Sequence, residues 1–117
     1  MILKVYGIKN CDTMKKTFSF LEEKGISYEF FDYKKQAPSL ELLKSFHSKT
    51  SLDTLVNRQG TTYKKLDDSQ KAAAGQELTA FPILMAQPSM IKRPIIEYSD
   101  GSITLGFVPE KIASKLK

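Results

Sequence analysis

The chain has a single cysteine, a single histidine and two arginines among its 117 residues. One cysteine excludes an intramolecular disulfide and a multi-cysteine zinc site, and it suits a reducing compartment. One histidine leaves no cluster with metal-ligand spacing, so no metal is expected. Long apolar runs are also missing. The opening Met1-Ile2-Leu3-Lys4-Val5 meets a lysine too soon for a signal peptide, and no stretch approaches a membrane span. These absences read as one cytoplasmic domain with no membrane partner. The scarcity of arginine bears on the formal charge of +5. Sixteen of the eighteen basic residues are lysines, scattered in runs no longer than two. Base readout and bidentate phosphate contacts favour arginine, so this charge reads as a solvated surface and no direct nucleic-acid partner is expected.

What is present centres on Tyr6-Gly7-Ile8-Lys9-Asn10-Cys11-Asp12-Thr13-Met14-Lys15-Lys16. An apolar run precedes it and a helical pattern follows, which puts the thiol where backbone N–H groups are unpaired and the helix dipole favours an anion. Lys9, Lys15 and Lys16 add positive charge, and such surroundings lower a cysteine pKa. A lone cysteine can instead be a small buried hydrophobe. The polar and charged neighbours argue for the reactive reading. His47 falls on a helix outside this region and is not taken as a partner of Cys11. The five tyrosines read as core or rim aromatics.

Met1 to Tyr6 is almost wholly apolar and predicts a central strand buried on both faces. Met14, Phe18 and Leu21 recur at helical spacing, and Gly25 suits the helix stop. Ile26 to Tyr33 reads as a second strand, with a phase change between Phe30 and Phe31. Strand, helix and strand over this length predict a right-handed βαβ unit. The middle predicts helices: one opened by Pro38-Ser39 with Leu40, Leu43 and Phe46 on a face, and one capped by Ser51. One turn of helix follows at Thr61 to Leu66, then a helix from Asp68 to Leu78, and a last piece capped by Thr79 with Pro82 in its first turn. Strands return at Ile95–Tyr98 and Ser102–Leu105 around an Asp100-Gly101 hairpin signal, and Pro109 opens a closing helix. The fold class is therefore α/β, a thioredoxin-like mixed sheet (βαβ plus ββα) with an all-helical insertion between the halves. Residues 1–35 and 91–117 form the core and 36–90 the insertion of a single domain.

Four segments in this order resemble the arsenate-reductase family, the ArsC/Spx group, and its YffB-type branch most of all. They are Tyr6 to Thr13, Asn57-Arg58-Gln59-Gly60-Thr61-Thr62-Tyr63, Ile91-Lys92-Arg93-Pro94-Ile95-Ile96, and Leu105-Gly106-Phe107. The resemblance implies a thiol oxidoreductase with Cys11 as nucleophile and Arg58 and Arg93 as catalytic anion-binding arginines. It implies a cis bond before Pro94, and glutathione as co-substrate, or glutaredoxin, with no permanently bound cofactor. The substrate would be a small oxyanion or a thiol. Lys9, Asn10, Asp12, Thr13, Arg58, Arg93 and Pro94 are the implied binding residues. Departures narrow the reading. Reductases of the family carry a histidine where this chain has Gly7 and a third arginine where it has Phe107, so arsenate reduction is expected to be weak. The regulators carry Cys-x-x-Cys where this chain ends on Met14, so no internal disulfide switch can form. Two rivals stay open: a regulator that contacts RNA polymerase, and a glutathione-binding protein without turnover.

Overall fold

The structure is a computed structural model, and it describes residues 2–116. Met1, with which the first strand was expected to begin, lies outside them. The chain divides into two compact units, one made of the chain up to Tyr33 together with the chain from Arg93 onward, the other of Lys34–Lys92.

In the sheet unit, strands β1 (Ile2–Gly7), β2 (Ser27–Asp32), β3 (Ile95–Glu97) and β4 (Ile103–Leu105) are ordered β2-β1-β3-β4. β1 runs parallel to β2, with Val5 opposite Phe30, and antiparallel to β3, with Val5 opposite Ile96. β3 and β4 are antiparallel. This is the thioredoxin-like mixed sheet. Helices α1 (Asp12–Glu23) and α7 (Pro109–Lys115) share one sheet face, because Met14 and Leu21 of α1 and Ile112 of α7 join Leu3, Val5 and Ile96 in one apolar cluster.

β1 is central as expected, but it is not buried throughout. Ile2 and Lys4 point to the opposite face and are exposed, whereas Val5, Tyr6 and Gly7 are buried. The strand is thus covered mainly at the end that leads into the cysteine loop. β2 alternates without a change of phase: Tyr28 and Phe30 turn inward, and Phe31 stacks on Tyr6 across the other face at 4.9 Å between centroids. α1 stops in a Schellman turn. Gly25 has φ +68, its N–H donates to the carbonyl of Glu22, and the N–H of Ile26 donates to that of Leu21.

The second unit carries α2 (Leu40–His47), α3 (Leu52–Leu55), α4 (Thr61–Lys64), α5 (Asp68–Ala73), α6 (Glu77–Ala86) and a 3-10 turn at Pro88–Met90. Ser39 and Ser51 cap α2 and α3 through their side chains. The block is helical but includes one antiparallel bridge, Val56 to Ile91, two β-branched residues that are both buried. The helix expected to run from Asp68 to Leu78 is two helices, because the chain turns at Gly75-Gln76. Thr79 does not cap the second. Gln76 holds that position, and the Thr79 hydroxyl donates back to the carbonyl of Ala73. Pro82 consequently sits inside α6, past its first turn, and deprives the carbonyl of Leu78 of an intrahelical donor. Leu78 is itself 89% exposed, so water can supply that donor. Leu40, placed by its spacing on the apolar face of α2, is also largely exposed, while Leu43 and Phe46 are fully buried.

Candidate active site

β1 delivers the chain to Gly7, where the Gly7 carbonyl accepts the N–H of Tyr33 and ties the ends of β1 and β2 together. The loop then folds back on itself through the Cys11 N–H, which donates to the Lys9 carbonyl. Cys11 takes the N-cap position of α1 in extended backbone, and its own carbonyl accepts the first helical bond, from Lys15. No side-chain hydrogen bond caps the helix, and the unpaired N–H groups of Met14 and Thr13 at its start favour the thiolate.

The thiol is half-buried. Burial pushes its pKa up. Hydrogen bonds from the Arg93 guanidinium and from the Met14 and Thr13 N–H groups, with the Arg93 charge, outweigh this and hold the thiol below its ordinary value. The lowering therefore comes from Arg93 and the helix start. Lys9, Lys15 and Lys16, to which the sequence reading gave that role, are solvent-exposed and are not among its causes. A lysine that points into water is screened, whereas a guanidinium bonded to the sulfur is not.

Arg93 reaches Cys11 because the segment before β3 runs beside the C-terminal end of β1. Tyr6 pairs with Ile95, and the carbonyl of buried Pro94 accepts the N–H of Gly106 at 2.8 Å. The Arg93–Pro94 peptide bond is cis. Gly106 has φ +81, a conformation that glycine adopts without strain. Asn10 and Asp12 are exposed beside the thiol. Thr13 is half-buried and its carbonyl accepts the Thr17 hydroxyl at 2.8 Å.

Arg58 lies in the other unit, in the loop after α3, where it forms an ion pair with Asp53. His47 is there too. Its Nε2 lies 3.8 Å from a Glu77 carboxylate oxygen and its ring packs edge-on against Phe81. Among the described residues, no group of His, Cys, Asp and Glu has the arrangement of a metal site, and no helix is long and apolar enough to cross a membrane.

Three features escaped the sequence reading. Thr17 is fully buried in α1 because its hydroxyl bonds back to the Thr13 carbonyl, a pattern that serine and threonine adopt in helices and that apolar periodicity does not register. Asp53 pairs with Arg58 across five residues, a spacing legible only once α3 is known to be a single turn. Gly7 faces Met14 so closely that a Cβ there would sit 2.6 Å from the Met14 sulfur.

The ArsC family matches residues 6–114. The chain belongs to the ArsC family. Among ArsC-like solved structures, one named the YFFB protein is 43% identical, covers 98% of this chain and 99% of its own, and superposes with a TM-score of 0.91. An arsenate reductase (ArsC) related protein from Brucella melitensis is 42% identical over the whole of this chain and 96% of its own, with a TM-score of 0.78. An uncharacterized protein of Haemophilus influenzae is 38% identical over 91% of each chain. The ArsC match begins at Tyr6, so it takes in the whole cysteine loop, and it extends through Arg58, Arg93 and Phe107.

Proposed function

We propose that this ArsC-family protein is a monothiol oxidoreductase of the cytoplasm, in which the Cys11 thiolate attacks a substrate and an external thiol, glutathione or one presented by glutaredoxin, completes turnover. The observation that carries this reading is the place of Cys11 at the N-cap of α1, with its thiol held below its ordinary pKa by the Arg93 guanidinium and the Met14 and Thr13 N–H groups. A thiolate is the nucleophile in such chemistry, and the same guanidinium and N–H groups that favour it suit an anion brought beside it. Arg93 binds an oxyanion or a glutathione carboxylate; for Arg58, which pairs with Asp53, an anion-binding role is what the family resemblance implies. Lys9, Asn10, Asp12 and Thr13 shape the loop around the ligand, and Pro94 fixes the backbone next to Arg93. The chain holds no second cysteine, so the mixed disulfide or thiol adduct on Cys11 has to be resolved from outside.

The test is a glutathione-coupled assay against mixed disulfides and arsenate, with Cys11→Ser as control, combined with ultraviolet titration of the thiolate. Turnover of disulfides that is lost in Cys11→Ser, with a thiol pKa below about 8.5, supports the reading. A pKa at or above that value, or turnover that survives the substitution, overturns it.

A further inference from the structure

Helix α6 is apolar on every side. Ala80, Phe81 and Leu84 are buried, while Leu78, Pro82 and Ala86 recur four residues apart along the outer face and are exposed. Between Glu77 and Lys92 the chain carries no charged residue. A helix of this kind is normally covered on both faces, and depletion of charge marks the centre of an interface. Leu78 is 89% exposed, more than any other large apolar side chain among the described residues. Farther along α6, Pro82, Ile83, Ala86 and Gln87 join Leu66 and Gln70 in lining a groove of about 230 Å³. The same helix therefore presents a projecting leucine at one end and an apolar hollow at the other.

We propose that this face binds a second copy of the chain, with the two α6 helices packed antiparallel about a two-fold axis at Pro82. Such an axis places Leu78 of each copy against Ala86 of the other, so the largest side chain of the row meets the smallest. Rows at four-residue spacing interdigitate when helices cross at about −50°. Each Leu78 then fills the groove of the other copy, where Ala86 leaves room for it. Charge agrees with this orientation. Glu77 flanks the leucine, whereas the segment Lys64–Lys71, which supplies Leu66 and Gln70 to the groove, carries three lysines and two aspartates. A negative end of the face thus meets an end with a positive excess. Pro82 leaves the Leu78 carbonyl without an intrahelical donor, and an interface that covers it has to supply one. Gln87, exposed at the groove, brings carboxamide N–H groups to the end where the other copy's Leu78 arrives.

The experiment is sedimentation velocity on the full chain from micromolar to millimolar concentration. Association should be weak and concentration-dependent, because one helix face and one groove make a small interface. Leu78→Glu should abolish it, and so should Ala86→Lys by filling the groove. Both positions are exposed in the single copy, so circular dichroism should show both variants folded. Mixed together, the two variants should associate again. The introduced carboxylate then meets the introduced ammonium at one contact, and the native leucine–alanine pair survives at the other. A wild-type chain that stays monomeric throughout overturns the inference and leaves the face to a ligand or a different protein. Association that survives Leu78→Glu overturns it as well, since another surface then carries the contact. Variants that are each monomeric and remain so when mixed overturn the antiparallel pairing.

Discussion

Arg93 and Cys11 are far apart in the chain, and their contact is where most of the site's chemistry is concentrated. Removing the guanidinium takes away a charge-assisted hydrogen bond and leaves burial to dominate. Arg93→Ala should therefore raise the thiol pKa, read from thiolate absorbance, and weaken glutathione or anion binding by about 1.5–3 kcal/mol by calorimetry. An unchanged affinity would remove the anion-binding role. The lowered pKa also has a sign for stability. Because the folded-state value lies below the unfolded one, ionised Cys11 adds stability above the unfolded value near ~8.5, and this is lost as pH falls through the folded value. The stability difference between wild type and Cys11→Ser, from denaturation across that range, should grow with rising pH. A flat difference would mean that the thiolate is not favoured by folding. The cysteine and both arginines were legible as candidates because they are rare in this composition. Which cation acts on the sulfur was not legible, because the lysines near it in sequence point into water.

At the scale of elements, the site depends on how α1 leaves β1 and how it ends. The Gly7–Met14 approach joins the last residue of the strand to the first turn of the helix. Gly7→Ala should cost about 1 kcal/mol or less by denaturation, because the atoms it meets are the movable end of the Met14 side chain, and a larger loss would mean that the core pins Met14 in place. The other end of α1 tests a different kind of strain. Gly25 has φ +68 and open space where a Cβ would go, so Gly25→Ala should lose about 1–2 kcal/mol by conformation alone, measured by denaturation. A Gly25→Asn change should lose less, since asparagine tolerates that region. Helix spacing gave α1, α2 and α7 correctly, and turn chemistry gave the Asp100-Gly101 hairpin. The α5–α6 boundary was misplaced because alanine-rich sequence has the same local preference on both sides of Gly75, and the Thr79 hydroxyl found a carbonyl instead of an N–H.

The whole molecule adds effects that no single element carries. Tyr6 is pushed up to about 12 by burial and by the nearby Glu97 and Glu29, and Tyr33 is raised as well, by burial first and then by Tyr6. Both values lie above those of the unfolded chain, so neutral Tyr6 and Tyr33 contribute stability below about pH 10 that is lost as pH rises through the folded values. On alkaline titration, the last part of the tyrosinate absorbance should appear together with loss of circular dichroism. Complete ionisation before unfolding would contradict that coupling. The sequence by itself determined the class of fold, because strand and helix periodicities and turn residues are local, and they order β-α-β, helices, β-β-α unambiguously. It also determined that Cys11 has no resolving partner in the chain, since that needs only a count. Tertiary structure alone decided that the Arg93 guanidinium is the side-chain charge that lowers the Cys11 pKa, that Arg58 is paired with Asp53, and that the end of the Met14 side chain lies against Gly7. Each is a matter of side-chain direction and close packing, which depends on strands and turns brought together from separate parts of the chain.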